Sequence, residues 1–526
     1  MEPLLIAASL ATSGHHGARP AGMATTVEIS TGRLEGTRED GVLVFRGIPF
    51  ARPPLGPLRF EPPQAVEPWP EVRDATRFGP AAVQTRDLIG PSVGFDQPES
   101  AEDCLTLNVW TPGADDARRP VLVWIHGGAF AIGSGSQRVF DSTTLARRGD
   151  AVIVTINYRL GALGFLRLSA TTLGRELTAT GNEGLLDQVA ALEWVRREIA
   201  RFGGDPDNVT IFGESAGSIS CSILLTMPRA RGLFHRAILQ SGPPTLVGDP
   251  ALPSHVAQAF LDTLGDAAAR LRELPADAIR RAQAKIILQL GLETRGMPFR
   301  PCADGDLVPA DPLAAIADGC ARDVPVLVGT TRDEMKLFAL VDPVSLTLDD
   351  ATLLRRCERN LAGRARDLIN GYRAARSARG EPVTSSELWF AIESDRLFRI
   401  GSMRLAERQR AWLPQTYVYS FTWESPFRDG MLGAAHALDI PFVFGTQDRP
   451  ELVAFTGGGP AAQALAERMQ DAWLAFARTG DPAHPGLPAW PAYDGERRAT
   501  MLLGARCELV DAPREAERRL WDEIPL

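Results

Sequence analysis

The pentapeptide Gly-Glu-Ser-Ala-Gly at 213–217 constrains the fold of this 526-residue chain more than any other feature. It follows a short β-type run at 208–212 and precedes an apolar helical stretch at 219–225. A glycine two residues on either side of a serine allows a sharp strand-to-helix turn, in which larger side chains would collide. Such a turn holds the serine hydroxyl above the edge of a sheet. The pattern therefore predicts an α/β fold in which Ser215 is a nucleophile.

The base that activates the serine can be found by elimination. Histidine is the usual base near neutral pH, and in α/β-hydrolases the chain order is serine, acid, histidine. Three of the seven histidines precede Ser215, while His235 and His255 follow it too closely for an acid-bearing strand to intervene. His484 lies in a proline-punctuated stretch that is typical of a surface loop. His436 is therefore the predicted base.

The acid is expected at the end of a strand between the serine and the histidine. The apolar run at 324–328 is the clearest buried strand in that interval. It leads into two adjacent carboxylates, Asp333 and Glu334. One of them would orient the imidazole and stabilise its charged form. Position alone does not choose between the two residues.

Donors for an oxyanion are expected upstream of the serine. A strand-like run at 121–125 is followed by His-Gly-Gly-Ala-Phe at 126–130. A glycine pair after a strand lets backbone N–H groups approach a developing oxyanion closely. The N–H of Ala216, at the start of the helix, is a further donor. Each such donor stabilises the transition state by about 3 kcal/mol.

At this point the chain resembles the type-B carboxylesterases, the carboxylesterase and cholinesterase family, over about 28–521. The stretch at 202–217 looks like the serine signature of that family, and 102–110 looks like its second signature. Shorter blocks at 157–161 and 184–188 occur in the same order. The His-Gly-Gly-Ala-Phe form is similar to that of bacterial para-nitrobenzyl-esterase-like enzymes.

The resemblance implies an α/β-hydrolase fold, with a central, mostly parallel sheet flanked by helices. It also implies ester hydrolysis without a cofactor. The residues that it implies are the nucleophile Ser215, the acid Glu334, the base His436, the oxyanion donors Gly128, Ala129 and Ala216, and the supporting residues Ser241 and Glu214. For Ser241 the alternative is a buried hydroxyl with no part in catalysis.

The chain departs from the family pattern at three places. Met335 follows Glu334 where the family has glycine, and Ser218 replaces a glycine after the elbow, which should alter helix packing. Cys104 matches a half-cystine of secreted animal members. No cysteine precedes it here, so that disulfide cannot form.

Length and spacing predict one domain over 23–526, because the candidate nucleophile, acid and base are spread from 215 to 436 and must meet in one site. Large insertions at about 245–320 and 340–430 have helical periodicity and are expected to cap the site. Residues 1–22 are expected to be a disordered extension or a misassigned start. The alternative is a secretion signal, although Glu2 stands where such a signal carries basic charge.

Composition and charge limit the kinds of molecule that the chain is expected to bind. The net charge is −9 without a basic cluster, which argues against nucleic-acid binding. No run approaches the ~20 apolar residues of a membrane span. The six scattered cysteines predict no metal site, and free thiols are favoured over a Cys302–Cys320 bridge. A cytoplasmic location is expected, or secretion if 1–22 is a signal.

The predicted function is hydrolysis of a small-molecule carboxylic ester through an acyl-enzyme. Two alternatives remain: hydrolysis of a carbamate or amide by the same residues, and a non-catalytic binding protein. A triad does not choose the leaving group. The sequence leaves open which ester is the natural substrate and which oligomeric state the protein adopts.

Overall fold

The structure is a computed structural model, and the residues that it describes are 25–174, 176–247, 251–291, 293–361 and 363–525. The predicted extension at 1–22 lies outside them. Within the described ranges, no helix is both long enough and apolar enough to cross a membrane.

Thirteen strands of the described chain form one sheet, in the order β1-β2-β3-β5-β7-β6-β8-β9-β10-β11-β12-β13, with β4 paired to β2. Their bounds are β1 Thr25–Ile29, β2 Gly32–Glu39, β3 Val42–Pro49, β4 Val72–Asp74, β5 Thr106–Thr111, β6 Arg119–Ile125, β7 Val152–Ile156, β8 Gly204–Glu214, β9 Arg236–Gln240, β10 Val326–Thr331, β11 Thr416–Phe421, β12 Ala499–Leu503 and β13 Glu508–Asp511. The seven strands from β7 to β12 in this order are parallel. Antiparallel strands flank them on both sides.

Helices cover both faces of this sheet. Their bounds are α1 Thr143–Gly149, α2 Gly161–Phe165, α3 Glu183–Glu198, α4 Ala216–Leu224, α5 Ala251–Leu264, α6 Ala276–Leu290, α7 Pro312–Ala317, α8 Asp350–Asn360, α9 Ala365–Ala378, α10 Ser385–Ser394, α11 Ile400–Arg410, α12 Phe427–Gly430, α13 Ile440–Phe444, α14 Val453–Thr456, α15 Gly459–Thr479 and α16 Glu515–Arg519. A π-helical turn, Asp395–Arg399, joins α10 to α11.

The central strand β6 shows why the sheet must be covered twice. Val121, Val123 and Ile125 pack into one apolar core, whereas Leu122 and Trp124 pack into another. All five side chains are fully buried. Because successive side chains of a strand point to opposite faces, an uninterrupted apolar run needs an apolar layer on each side. Helices α3 and α4 contribute to the first core, and α15 contributes to the second.

The two predicted insertions are helical. The first contains α5 to α7. The second contains α8 to α11 but ends before the predicted position 430, because β11, Thr416–Phe421, belongs to the central sheet. The second insertion has a small core of its own, built around Leu353, Leu368 and Leu388 and closed by Trp521 from the C-terminal segment. The fold is thus the predicted α/β-hydrolase architecture with helical insertions.

Parallel strands bring the candidate residues to one edge of the sheet. β6 ends immediately before the glycine-rich loop, and β8 ends immediately before the predicted nucleophile. β10 ends shortly before the acid pair. Ligand sites of open parallel sheets lie at this carboxyl edge. Two predicted boundaries shift. The strand expected at 324–328 runs from Val326 to Thr331, because Pro325 has no N–H to donate to the ladder. The helix expected at 219 begins at Ala216.

Candidate active site

The turn at Ser215 is as sharp as the glycine pattern predicts. Ser215 has φ 55° and ψ −123°, and its N–H donates to the carbonyl of Gln240 at 2.9 Å. A Cβ on Gly217 would lie 1.9 Å from the carbonyl oxygen of Ile125, and one on Gly213 would lie 2.7 Å from the same atom. The close approach of β6 therefore requires glycine at both positions. The hydroxyl-bearing residue itself remains partly exposed.

The predicted acid and base are in direct contact. Glu334 Oε2 lies 2.6 Å from Nδ1 of His436. The other carboxylate oxygen accepts hydrogen bonds from Ser241 Oγ at 2.6 Å and from the N–H of Thr331 at 2.7 Å. Glu334 is fully buried and His436 is 4% exposed. Ser241 thus lies where the resemblance implied, and both carboxylate oxygens of Glu334 are held.

Asp333, the other candidate acid, faces away from the imidazole. Its Oδ2 accepts hydrogen bonds from Arg332 Nε and from the N–H of Ala434, each at 2.9 Å. Burial alone would raise the pKa of Asp333, but the positive charges of Arg332 and Lys336 outweigh it and lower the pKa. Of the two adjacent acids, Glu334 is the one that contacts the imidazole.

A second carboxylate faces the other ring nitrogen. Nε2 of His436 lies 3.0 Å from Oε1 of Glu214, without the alignment of a hydrogen bond. Burial opposes the charged imidazole, but Glu214 and Glu334 outweigh it and raise the pKa of His436. Burial also raises the pKa of Glu214, to about 8. Ser215 Oγ forms no hydrogen bond to His436 within the described residues. Such contacts are often loose in a free enzyme and tighten around substrate.

A third buried carboxylate, Asp439, lies nearby, and the sequence reasoning missed it. Its Oδ2 accepts from Gln240 Nε2 at 2.8 Å and from the hydroxyl of Tyr419 at 3.2 Å. Gln240 in turn accepts from Trp473 Nε1 at 3.1 Å. Burial raises the pKa of Asp439 to about 6. The available signal was its position three residues after His436, directly before an apolar segment.

The glycine-rich loop after β6 packs directly on the elbow. A Cβ on Gly127 would lie 3.1 Å from the Cβ of Ser215. Gly128 and Ala129 have left-handed φ values of 111° and 54°. Among the described residues, neither of their N–H groups donates a hydrogen bond. Ala216 opens α4, where amide N–H groups have no intrahelical acceptor. Three donors are therefore available beside the serine.

His126 anchors this loop as a neutral ring. It stacks on Tyr158 with ring centroids 4.5 Å apart, and Nδ1 lies 2.8 Å from the carbonyl of Gly127. The hydroxyl of Tyr158 donates to the carbonyl of His126 at 2.8 Å. Burial lowers the pKa of His126 to about 4, so the ring is uncharged at neutral pH.

Two aromatic rings flank the predicted base. The ring centroids of Phe398 and Phe338 lie 4.8 Å and 5.5 Å from that of His436. Phe398 belongs to the π-helical turn, and such turns recur at functional sites. Phe338 lies four residues after Glu334, in the segment that follows β10. The contact of Phe398 has no signal in the sequence, because it depends on how the second insertion folds back on the sheet.

Known proteins share this arrangement of sheet and signatures along nearly the whole chain. The model of the carboxylesterase family matches residues 23–521. The chain belongs to the carboxylesterase family. A para-nitrobenzyl esterase of Bacillus subtilis (strain 168) is 39% identical over 93% of this chain and 96% of its own length. A phenmedipham hydrolase of Pseudarthrobacter oxydans is 36% identical over 90% of this chain and 94% of its own length.

Solved structures of the family confirm the fold. A carboxylesterase of Geobacillus stearothermophilus is 42% identical and superimposes with a TM-score of 0.83, covering 95% of this chain and 100% of that one. As a member of the carboxylesterase family, the chain is a serine hydrolase that acts on small-molecule carboxylic esters. The predicted function is confirmed at this level, and the alternative of a non-catalytic binding protein is not supported.

The departures from the family pattern have local explanations. The N–H of Met335, which replaces glycine after the acid, donates to Ser394 Oγ at 3.1 Å in the second insertion. Ser218 Oγ donates to the carbonyl of Gly242 at 3.1 Å, which ties α4 to the end of β9. The extra hydroxyl therefore adds a bond between helix and strand. All six cysteines are unpaired.

Proposed function

We propose that this carboxylesterase hydrolyses uncharged esters through an acyl-enzyme on Ser215, with His436 as base and Glu334 as acid. The observation that carries the proposal is the 2.6 Å contact between Glu334 and His436, on a buried ring beside the elbow. In acylation, Ser215 Oγ attacks the ester carbonyl carbon and its proton passes to Nε2 of His436. The carbon–oxygen bond to the alcohol then breaks, and the alcohol leaves with that proton.

Deacylation repeats these steps with water. His436 takes a proton from the attacking water and returns it to Ser215 Oγ when the acyl–oxygen bond breaks. Glu334 remains ionised throughout and holds Nδ1–H of the imidazole. The N–H groups of Gly128, Ala129 and Ala216 would hold the oxyanion in both steps, each contributing about 3 kcal/mol.

Glu214 supports the same chemistry as a nearby charge. Its Oε1 lies 3.0 Å from Nε2 of His436, the nitrogen that receives the proton. An adjacent carboxylate favours the charged form of an imidazole. We therefore assign Glu214 the role of stabilising the imidazolium that forms during each step.

The substrate that we propose carries no charge near the ester bond and has apolar groups. Phe338 and Phe398 pack on the imidazole, which favours apolar substituents. Three buried acids, Glu214, Glu334 and Asp439, lie near the ring and in their ionised forms would repel an anionic substrate. A panel of 4-nitrophenyl esters of increasing acyl length, with a half-ester of succinate as the anionic member, tests this. Faster turnover of the succinate half-ester than of the butyrate ester would contradict the proposal.

The nucleophile is tested with two serine variants. Ser215→Ala should abolish turnover of a short-chain chromogenic ester while leaving the thermal unfolding curve unchanged. Ser222→Ala is the matched control, because its buried hydroxyl donates to Gly242 at 2.9 Å on the same helix. The control should keep its activity. Mass spectrometry after treatment with an organophosphate should show one adduct on the parent protein and none on Ser215→Ala.

A carbamate is the second candidate substrate. The similarity to a phenmedipham hydrolase favours it, since phenmedipham is a carbamate. The same attack on a carbamate carbonyl would release the alcohol and leave a carbamoyl-enzyme. Rates on a matched 4-nitrophenyl ester, carbamate and anilide discriminate the candidates. Slow or absent deacylation of the carbamoyl-enzyme would favour the ester.

We further propose that 23–526 folds as one domain and that the protein is cytoplasmic. A single sheet that includes strands from both ends of the described chain supports the first proposal. Six unpaired cysteines support the second, because reducing compartments keep thiols free. One cooperative calorimetric transition and recovery in the soluble cytoplasmic fraction are the expected results.

A further inference from the structure

Asp333 makes contacts that its position beside the acid does not require. We propose that Asp333 is a positioning residue that fastens the loop carrying His436, so that the imidazole is held at the correct place for proton transfer. This inference rests on the proposed function of His436 as the base. It assigns Asp333 no direct contact with the substrate or the reacting atoms.

The fastening consists of two hydrogen bonds to one residue. The N–H of Asp333 donates to the carbonyl of Ala434 at 2.9 Å. The N–H of Ala434 donates in return to Oδ2 of Asp333, also at 2.9 Å. Both backbone groups of Ala434, two residues before His436, are therefore held by Asp333. The next residue, Glu334, holds the ring itself, so consecutive residues fix two points of one loop.

The loop needs such an attachment because it has little regular structure of its own. Between β11 and α13 the backbone is left-handed at Arg428, Asp429, Gly433 and Ala437, with φ values of 45°, 58°, 55° and 64°. Residues in this region are costly and persist only where surrounding contacts fix them. A Cβ on Gly433 would lie 2.6 Å from Oδ2 of Asp333. Glycine at this position is what allows the carboxylate to approach the loop.

The charge of Asp333 is balanced locally and does not act on the imidazole. Arg332 Nε donates to Oδ2 at 2.9 Å, and Lys336 Nζ lies 4.0 Å from Oδ1. Arg514 is a further positive charge that faces the carboxylate. The side chain of Asp333 is 15% exposed. With its charge neutralised by these cations, the carboxylate serves as a fixed acceptor for the Ala434 amide.

The test compares Asp333→Ala with Asp333→Asn, because the amide keeps an acceptor oxygen and loses the charge. Turnover is expressed per active site, counted by the burst of alcohol released on organophosphate or ester acylation. Asp333→Ala should lower kcat per titrated site by about tenfold or more, with KM within about threefold, since small misplacements of catalytic groups cost up to about 100-fold. Asp333→Asn should recover most of that loss. The midpoint of the pH–rate profile should not move, because Asp333 does not touch the ring.

The matched control is Asp141→Ala. Asp141 also accepts a backbone N–H, from Thr143 at 2.9 Å, and pairs with an arginine, Arg449, at 2.6 Å. Its loss should lower thermal stability and leave kcat per titrated site unchanged. If Asp333→Ala behaves in the same way, its role is only structural and the inference is wrong. Equal losses in Asp333→Ala and Asp333→Asn would also overturn it.

A second variant covers the case in which Asp333→Ala does not fold. Gly433→Ala leaves the carboxylate in place and pushes the loop away from it, and it should lower kcat per titrated site with the same unchanged pH midpoint. Failure of this inference is distinguishable from failure of the proposed function. If Ser215→Ala is inactive while Asp333→Ala and Gly433→Ala keep full kcat, only the fastening is refuted. Retained turnover in Ser215→Ala would refute the function itself.

Discussion

Away from the active site, several buried carboxylates pair with guanidinium groups, whereas those around His436 do not. Asp187 lies 2.7 Å from Arg159, and their side chains are 0% and 3% exposed. Glu102 lies 2.5 Å from Arg59 in a similar environment. Each pair joins one acidic and one basic side chain in direct contact. They fix the positions of chain segments, and the charge of each carboxylate is balanced by its arginine.

Around the imidazole, three carboxylates share one titratable partner. Glu334 and Glu214 face its two nitrogens, and Asp439 is held by neutral donors only. No arginine or lysine lies within salt-bridge distance of these three among the described residues. In their ionised forms, their negative charge is best balanced when His436 is protonated, which is the state that the proposed mechanism forms during attack. The fold thus pairs buried charges with each other away from the site, whereas around the proposed base it leaves them facing one imidazole.

The largest expected effect is on turnover, at the contact between Glu334 and His436. Glu334→Gln should lower kcat per titrated site by about 10⁴-fold, because the amide cannot stabilise the imidazolium or fix its tautomer. The free energy of unfolding should change far less than turnover. Stopped-flow acylation of a chromogenic ester provides the measurement, with Asp333→Asn assayed beside it. A greater loss in Asp333→Asn would reverse the assignment of the acid.

The converse change, Asp187→Asn, should act on stability. Breaking a buried ion pair leaves Arg159 with an uncompensated charge and costs about 3–5 kcal/mol of unfolding free energy. Urea denaturation monitored by tryptophan fluorescence gives this value. Turnover per titrated site should stay within about twofold of the parent protein. A loss of turnover comparable to that of Glu334→Gln would contradict the distinction between carboxylates paired with arginine and carboxylates around His436.

A smaller effect is expected in the pH dependence of Glu214→Gln. Activity rises with pH as the imidazole loses its proton, and Glu214 raises the pKa of His436. Removing the carboxylate lowers that pKa, so the ascending limb of kcat/KM should move to lower pH. We expect roughly one pH unit, equivalent to about 1.4 kcal/mol. A limb that stays in place or moves upward contradicts the electrostatic role of Glu214.

The smallest effect is expected for Asp439→Asn. Asp439 also raises the pKa of His436, but less than Glu214 and Glu334 do. The amide can still accept from Gln240 and Tyr419, so the packing should survive. The ascending limb should move in the same direction as in Glu214→Gln, by roughly half a pH unit. A larger shift than that of Glu214→Gln would show that Asp439 is the dominant charge.

The sequence predicts the parts of this site that depend on local chemistry. The elbow is predicted because only glycine fits beside β6, and His436 follows from the order in which α/β-hydrolases carry their catalytic groups. The choice between Asp333 and Glu334 depends on which side chain meets a loop from about 100 residues further along the chain, as the separation of 102 positions between Glu334 and His436 shows. Asp333 lies in the turn after β10 and Glu334 opens the short helical segment that follows, and the sequence does not say which of the two side chains faces the loop.

The residues that surround the predicted base were also not predictable, because their positions depend on the folded chain. Phe398 reaches the ring from a π-helical turn, which has no sequence signature of its own. In the sequence, Asp439 is an ordinary residue before an apolar helix. The fold brings its side chain into contact with Gln240 and Tyr419. Pro325 is the exception among the misjudged boundaries, because its missing N–H could have set the start of β10 two residues later, at Val326.

The contact between Gly217 and the carbonyl of Ile125 has a consequence for how this scaffold can change. Ile125 is the last residue of β6, and the loop that carries Gly128 and Ala129 begins at the next position. Ser215 and the amides proposed as oxyanion donors are therefore linked through a direct backbone contact. Room for bulkier acids or alcohols has to come from the helical insertions, which are joined to this part of the molecule by side-chain packing. Laboratory selection for altered substrate range should accumulate its changes at 245–320 and 340–430 and spare the elbow.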